Sequence, residues 1–360
     1  MPTPIPTLYV AVTNHGFGHA TRMAALVAEI QRLCPEILII LATTAPRWLL
    51  DSYIQKDFIH RHTALDVGII QSDSVTMDRE ATLAKLKQFR AEERAIVARE
   101  VTFLQQNRVD LVLADIPPLA TTIARAAKVP CWMISNFGWD FIYRPWGGEF
   151  VEIADWIAAK FGECDRLFRL PFHESMSAFP HITDVGLTGG FPHFSPTEIR
   201  EKFRITAPVE KTILLTFGGL GLAEIPYLNV QKFPDWQFIT FDRQAPDLPN
   251  LVKVTGGQYR PVDFMPLCRA VVSKPGYSTF AEACRMDTPI ITITREDFAE
   301  SPVLLAGIQD CHPHRILTPE EFFKGNWQFL EQPFQPPRTD WRPDKNGNGA
   351  IAQAVMNYFQ

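Results

Sequence analysis

The loop after the first apolar run of the chain carries side chains suited to acid–base chemistry. Residues 14–19 read NHGFGH and precede a segment with helical spacing. Gly16 and Gly18 let the backbone approach a ligand, and a helix start presents free N–H groups to an anion. A neutral imidazole accepts a proton near pH 7, so His19 is a candidate general base. A histidine that caps the local backbone is the alternative.

A dinucleotide-binding interpretation of this loop is weak. Thr21 occupies the place of the third glycine in the GxGxxG pattern, and the second predicted strand is followed by residues 43–45 (TTA) rather than a ribose-binding acid. Hydride transfer is therefore disfavoured.

A second group of candidate residues lies in the C-terminal half. Gly218 and Gly219 end a predicted strand, as in loops that approach phosphates, although packing glycines would look the same. Residues 273–282 (SKPGYSTFAE) turn at Pro-Gly and start a helix. Four residues are candidates to bind a diphosphate there: Lys274, Gly276, Ser278 and Thr279. One turn on, Glu282 could accept both ribose hydroxyls, or it could lie on a solvated face.

Two aspartates follow predicted strands of the first half. Asp115 and Asp140 are candidates to line the acceptor side of the site or to assist His19, and a buried helix-capping role is the alternative for both. Residues 137–161 are rich in aromatic side chains, most of which we expect in the core. An exposed subset would stack on a sugar ring or insert into a lipid-linked acceptor.

Short apolar runs alternate with helical stretches throughout the chain, which predicts parallel sheets covered on both faces. The predicted strands are 8–13, 37–42, 110–114, 131–135, 166–170, 212–217, 236–241, 270–273 and 289–293. The predicted helices include 80–107, 276–286, 350–359 and one that starts at Pro196 after a Ser195–Glu198 capping box.

The length of 360 residues suits two domains. The pattern restarts after the Gly- and Pro-rich stretch 186–196, which predicts an N-terminal domain over 1–188 and a C-terminal domain over 189–345. The segment 346–360 is predicted to be a helix that packs back on the N-terminal domain.

Composition excludes several functional classes. The 35 basic and 40 acidic residues give a net charge of −5, which argues against nucleic-acid binding. Six cysteines without a CxxC pair indicate neither a disulfide framework nor a zinc ribbon, and no other metal motif is evident. No apolar run reaches the roughly 20 residues of a membrane span, so a cytoplasmic location is expected, with peripheral contact at the inner membrane face left open.

The stretch 273–302 resembles the nucleotide-sugar signature of GT-B glycosyltransferases, especially the bacterial lipid-intermediate GlcNAc transferase family. That resemblance implies that Glu282 holds the ribose and that the loop containing Glu300 touches the donor sugar. The segments 15–22 (HGFGHATR), 68–79 (GIIQSDSVTMDR), 135–143 (SNFGWDFIY) and 274–283 (KPGYSTFAEA) resemble the N-terminal, glycosyltransferase-like region of plant L-arabinokinases, which also occurs as a stand-alone bacterial protein. No kinase-type phosphate loop is present in the sequence, so this resemblance does not imply sugar phosphorylation.

The resemblance implies a GT-B architecture, with two Rossmann-like domains whose parallel sheets face each other across a cleft. It implies an inverting, metal-independent glycosyltransferase without a cofactor, with His19 as base. The expected donor is a UDP-linked sugar on the C-terminal domain. The expected acceptor is a small molecule, a glycan or a lipid-linked molecule. The alternatives are a nucleotide-sugar epimerase or hydrolase that uses carboxylates such as Asp115 and Glu296, and a non-catalytic nucleotide-sugar-binding protein. Donor sugar, acceptor and oligomeric state stay open.

Overall fold

The computed structural model describes residues 5–71, 77–218, 225–295 and 298–360. These residues form two compact units, one made of the chain up to Thr188 together with Asn346–Gln360, the other of Gly189–Lys345. Each unit contains one sheet in which every strand pairs in parallel with its neighbours. The predicted α/β class with two Rossmann-like units is confirmed.

The sheet of the first unit has the order β3-β2-β1-β4-β5-β6-β7. Its strands are β1 (Thr7–Val12), β2 (Leu38–Ala42), β3 (Ile59–Arg61), β4 (Leu111–Asp115), β5 (Cys131–Ser135), β6 (Arg166–Arg169) and β7 (Ile182–Asp184). The helices between them are α1 (Gly18–Leu33), α2 (Arg47–Asp51), α3 (Arg79–Gln106), α4 (Leu119–Ala127), α5 (Trp139–Tyr143) and α6 (Glu149–Phe161). All residues of β1 and β4 are buried, as expected for strands covered on both faces.

The sheet of the second unit has the order β10-β9-β8-β11-β12-β13. Its strands are β8 (Thr212–Leu215), β9 (Gln237–Thr240), β10 (Leu251–Lys253), β11 (Ala270–Ser273), β12 (Ile290–Ile293) and β13 (His314–Leu317). Its helices are α7 (Pro196–Phe203), α8 (Pro261–Phe264), α9 (Tyr277–Arg285), α10 (Glu300–Cys311) and α11 (Pro319–Phe323). The predicted capping box of Ser195 and Glu198 is present at the start of α7.

The last helix, α12 (Gly347–Phe359), belongs to the first unit and packs against α1. Its start is fixed by a hydrogen bond from Gly347 N to Leu187 O at 3.0 Å. A Cβ atom on Gly347 would lie only 2.1 Å from Gly186 O, so this close approach of two backbones requires glycine. No helix in the described part of the chain is long and apolar enough to cross a membrane.

The strand predictions cover the interior of both sheets and omit their edges. The omitted strands β3, β7, β10 and β13 are the edge strands, and each is three or four residues long. Edge strands are covered less completely than interior ones, as the partly exposed β3 and β7 show. They therefore lack the continuous apolar run that identifies an interior parallel strand.

Candidate functional site

The structure brings His19 and Asp115 into contact in the first unit. His19 lies in the first turn of α1, directly after the loop that follows β1, and Asp115 is the last residue of β4. His19 Nδ1 is 3.0 Å from Asp115 Oδ1, and both residues are buried. The strands β1 and β4 are neighbours at the point where the strand order reverses, which is where open α/β sheets bind their ligands. The catalytic roles of the two residues stay predictions.

Arg22 completes this cluster and was not identified from the sequence. Its Nε and Nη2 atoms donate to Asp115 Oδ2 and Oδ1, each at 2.6 Å. Its Nη1 atom donates to Asn136 Oδ1 at 3.0 Å, and Nη2 also donates to Ser135 Oγ at 3.2 Å. Arg22 is only 2% exposed. Its place three residues after His19, on the same face of α1, was the available signal.

These contacts bear on the tautomer of His19, that is, on which ring nitrogen carries the proton. Burial alone would raise the pKa of Asp115, but the charge of Arg22, together with hydrogen bonds from Arg22 and His19, holds that pKa below its usual value. The ionised carboxylate only accepts hydrogen bonds, so we assign the proton of the neutral ring to Nδ1. Arg22 Nη2 is also 3.0 Å from Nδ1, but its two hydrogens are directed at Asp115 and Ser135. His19 Nε2 is left with a lone pair, as a general base requires.

Asp66 is a second buried carboxylate beneath the same loop and was also missed. Its Oδ1 accepts from Asn14 N at 2.7 Å, and its Oδ2 accepts from Thr13 Oγ1 and from Trp139 Nε1, the latter at 3.1 Å. Burial, with a smaller effect from the charge of Asp115, raises the pKa of Asp66 to about 7. Asp66 therefore fixes the start of the loop that carries His19.

Asp140 is not part of the His19 cluster. Among the hydrogen bonds described for this part of the chain, none joins Asp140 to His19 or Asp115, and Asp140 Oδ1 is buried without a partner. Burial and the charge of Glu174 raise the pKa of Asp140 to about 6.

Gly16 has a φ of +61°, so its backbone conformation favours glycine, and Gly18 is the first residue of α1. The binding role of the two glycines and the role of Asp140 on the acceptor side or beside His19 stay predictions.

In the second unit, Lys274 lies between two of the predicted glycines. A Cβ atom on Gly218 would lie 3.8 Å from Lys274 Cε, and one on Gly276 would lie 3.9 Å from Lys274 Nζ. Desolvation and the nearby charge of Arg295 lower the pKa of Lys274 to about 8, while the charge of Glu300 opposes them. The loops that hold Gly218 and Lys274 follow β8 and β11, the neighbours at which this sheet's strand order reverses. Two other residues named from the sequence, Gly219 and Glu296, lie outside the described residues.

The start of α9 carries three of the residues predicted to bind a diphosphate. Gly276 is the residue before the helix and has no side chain with which to cap it. Ser278 and Thr279, both partly exposed, lie in the first turn. Glu300, the first residue of α10, is 6% exposed and interacts electrostatically with Lys274. The predicted diphosphate-binding residues therefore surround one end of α9, and their ligand stays a prediction.

Glu282 is buried, so its alternative placement on a solvated face is wrong. It is 4% exposed, and its Oε1 accepts a hydrogen bond from Gly190 N at 2.8 Å. A Cβ atom on Gly189, where φ is +138°, would lie 2.8 Å from Glu282 Cγ. The carboxylate thus packs against the first residues of the second unit.

Arg285, one turn later on α9, holds the same segment and the last residue of the unit. Its Nη1 atom donates to the carbonyls of Gly189 and Gly190, the latter at 3.1 Å, and its Nε donates to Lys345 O at 2.9 Å. The guanidinium also lies 3.8 Å from the ring centroid of Phe191. A single helix therefore fixes both ends of Gly189–Lys345. Sequence reasoning missed Arg285, because no local pattern shows that residues 285 and 345 meet.

Among the described residues, no group of three or more His, Cys, Asp or Glu side chains is arranged to hold a metal ion.

Comparison with known proteins identifies the fold. No family model matches the chain. L-arabinokinase from Arabidopsis thaliana is 32% identical over 331 residues, which are 89% of this chain and 31% of that protein. The chain therefore spans about a third of the length of that relative.

Solved structures match almost the whole chain. CalG4, the calicheamicin glycosyltransferase, superposes with a TM-score of 0.64 at 16% identity, covering 99% of this chain and 98% of CalG4. UGT2 of Phytolacca americana, complexed with UDP-2-fluoro-glucose and pterostilbene, gives a TM-score of 0.62 at 13% identity and covers 100% of this chain and 94% of its own. UGT71G1 of Medicago truncatula, complexed with UDP-glucose, gives 0.60 at 11% identity and covers 99% of both chains. The chain therefore has the GT-B fold that these glycosyltransferases share.

Proposed function

We propose that the chain is an inverting glycosyltransferase that moves a sugar from a nucleoside-diphosphate sugar to an acceptor hydroxyl. The observation that carries this proposal is the buried His19–Asp115 pair at the strand-order reversal of the first unit. Two of the matching structures contain UDP-sugars, which supports a UDP-linked donor for this chain as well.

The chemistry requires one proton acceptor and one anion site. The acceptor oxygen attacks the anomeric carbon, the bond from that carbon to the β-phosphate oxygen breaks, and the nucleoside diphosphate leaves with the electron pair. The acceptor proton passes to His19 Nε2, and Asp115 stabilises the imidazolium through Nδ1. Inversion follows because the new bond forms opposite the one that breaks.

The second unit supplies the anion site in this proposal. Lys274 and the N–H groups at the start of α9 would neutralise the diphosphate without a metal ion. Glu282 would bind the ribose. Because its Oε1 already accepts from Gly190, ribose binding would share that carboxylate with the chain segment at 189–190.

An epimerase or hydrolase that uses Asp115 is less well supported. Both oxygens of Asp115 are already engaged by Arg22 and one also by His19, so this carboxylate is directed at the protein rather than at a donor. We therefore propose transfer, with acceptor classes of small molecule, glycan or lipid-linked molecule.

The test uses His19→Ala and UDP-glucose. We expect slow hydrolysis of the donor by the wild-type chain, with water in place of the acceptor. That hydrolysis should fall by about 10²–10⁴ in His19→Ala, the usual contribution of a general base. UDP affinity by calorimetry should be unchanged. His15→Ala is the matched control, because its ring is 6.4 Å from that of His19 on the same loop and its Nδ1 accepts from Ile69 N.

Full hydrolysis by a folded His19→Ala protein would refute the base assignment. Absence of turnover with UDP binding intact in the wild type would favour the non-catalytic binding protein instead.

A further inference from the structure

Two aromatic side chains, one at the end of the loop that carries His19 and one in α2, contact each other. Phe17 is the residue before α1, and Trp48 is the second residue of α2. Their ring centroids are 6.0 Å apart with an interplanar angle of 80°. Trp48 is 49% exposed, so about half of this large side chain is accessible to a ligand.

The loops after β1 and β2 also bring polar groups together. Thr44 Oγ1 donates to Asn14 Oδ1, which joins the loop after β2 to the loop after β1. The two strands are neighbours in the sheet, with Ala11 opposite Ala42, so both loops lie at the carboxyl edge. Asn14 is exposed, and a Cβ atom on exposed Gly16 would meet nothing within 4 Å.

Packing of α2 does not explain the exposed ring of Trp48. That helix is anchored by Leu49 and Leu50, which are 8% and 0% exposed. Its first residue, Arg47, stacks over Phe58 at 3.9 Å from the ring centroid. About half of the Trp48 side chain is therefore left exposed beside an already anchored helix.

We propose that Phe17, Trp48, Asn14 and Thr44 form a subsite for a six-membered ring that carries hydroxyl groups, which is the acceptor ring in the reaction proposed above. An open aromatic face stacks on the flat apolar face of such a ring, while an amide and a hydroxyl bind its edge. The statement that this ring belongs to the acceptor rests on the proposed function. The aromatic residues of 137–161 do not provide this surface near His19, because Phe137 and Trp139 are almost fully buried.

The ring could come from a sugar or from a phenol, and the probes separate these sources. Binding to the full chain is measured by saturation-transfer NMR with methyl β-D-glucopyranoside, with 4-methoxyphenol and with acyclic sorbitol. We expect one or both ring probes to bind and sorbitol not to bind. In Trp48→Ala that binding should weaken at least about tenfold, and Trp48→Phe should retain most of it.

Trp341→Ala is the matched control, since Trp341 is also 49% exposed but belongs to the second unit. Trp341→Ala should bind the ring probes as tightly as the wild type does. The melting temperature of each variant separates loss of the subsite from loss of the fold. Equal ring binding by folded Trp48→Ala, equal binding of sorbitol, or no binding of either ring by the wild type would each overturn the subsite.

Donor hydrolysis distinguishes this failure from failure of the proposed function. UDP-glucose hydrolysis by the wild-type chain is therefore measured beside ring binding, because water as the acceptor needs no ring subsite. A wild-type chain that binds the rings but never turns over donor would refute transfer and leave the ring subsite standing.

Discussion

Asp115→Asn tests the cluster at its centre, because Asp115 is bound by both Arg22 and His19. The substitution keeps the size of the side chain and removes its charge. In the native chain Arg22 is 2% exposed and donates two hydrogen bonds of 2.6 Å to Asp115. The substitution therefore leaves the buried charge of Arg22 without its counter-charge. Breaking a buried ion pair on one side costs about 3–5 kcal/mol, so we expect the free energy of unfolding to fall by about that amount.

Activity should fall for a separate reason. The side-chain amide that the substitution introduces can donate to His19 Nδ1, which would move the ring proton to Nε2 and remove the lone pair that accepts the acceptor proton. A wrong tautomer of this kind lowers turnover by up to about 10⁴ in a related arrangement of acid and imidazole. We expect UDP-glucose hydrolysis per folded molecule to fall by about 10²–10⁴.

Two comparisons separate stability from catalysis, with unfolding in urea and hydrolysis measured on the same preparations. Glu100→Gln breaks another ion pair of the first unit, in which the partly exposed Arg61 donates to both oxygens of the buried Glu100 at 2.6 and 2.7 Å. It should lower stability while hydrolysis per folded molecule stays unchanged. The double variant Arg22→Met with Asp115→Asn should regain much of the stability and none of the turnover. Wild-type hydrolysis in folded Asp115→Asn would refute the orienting role of Asp115.

Two further predictions concern buried carboxylates. Glu282→Ala should weaken UDP binding by about 1.5–3 kcal/mol in calorimetry and leave pyrophosphate binding unchanged, since pyrophosphate has no ribose. Glu282→Gln is the milder variant, because it keeps an acceptor for Gly190 N. Unchanged UDP affinity in Glu282→Ala would remove Glu282 from the site. The pKa of Asp66 rises from 3.8 to about 7 on folding, so the native state binds the proton more tightly than the unfolded state does. The free energy of unfolding should therefore fall as pH rises from about 4 to 7. At about 1.4 kcal/mol per pKa unit, the fall is up to about 4 kcal/mol. Asp66→Asn should remove that part of the slope in urea titrations at several pH values, and parallel curves for the two proteins would contradict the raised pKa.

The sequence alone determined the features that depend on neighbours along the chain. Continuous apolar runs identified the interior strands of both sheets, because a parallel strand buried on both faces needs apolar residues at every position. The capping box at Ser195 was equally local, since its two partners are three residues apart. The loop that ends in His19 and the helix that starts after Gly276 were found in the same way.

Only the tertiary structure decided which of these parts meet. His19 and Asp115 are 96 residues apart, and Arg22 and Asp115 are 93 apart, so no local pattern pairs them. Edge strands were missed because their pairing, rather than their own composition, makes them strands. The burial of Glu282 depends on a segment 92 residues earlier in the chain. Periodicity encodes secondary structure within one element, whereas the neighbours of a charge follow from how distant elements pack, and the site chemistry of this chain depends on those neighbours.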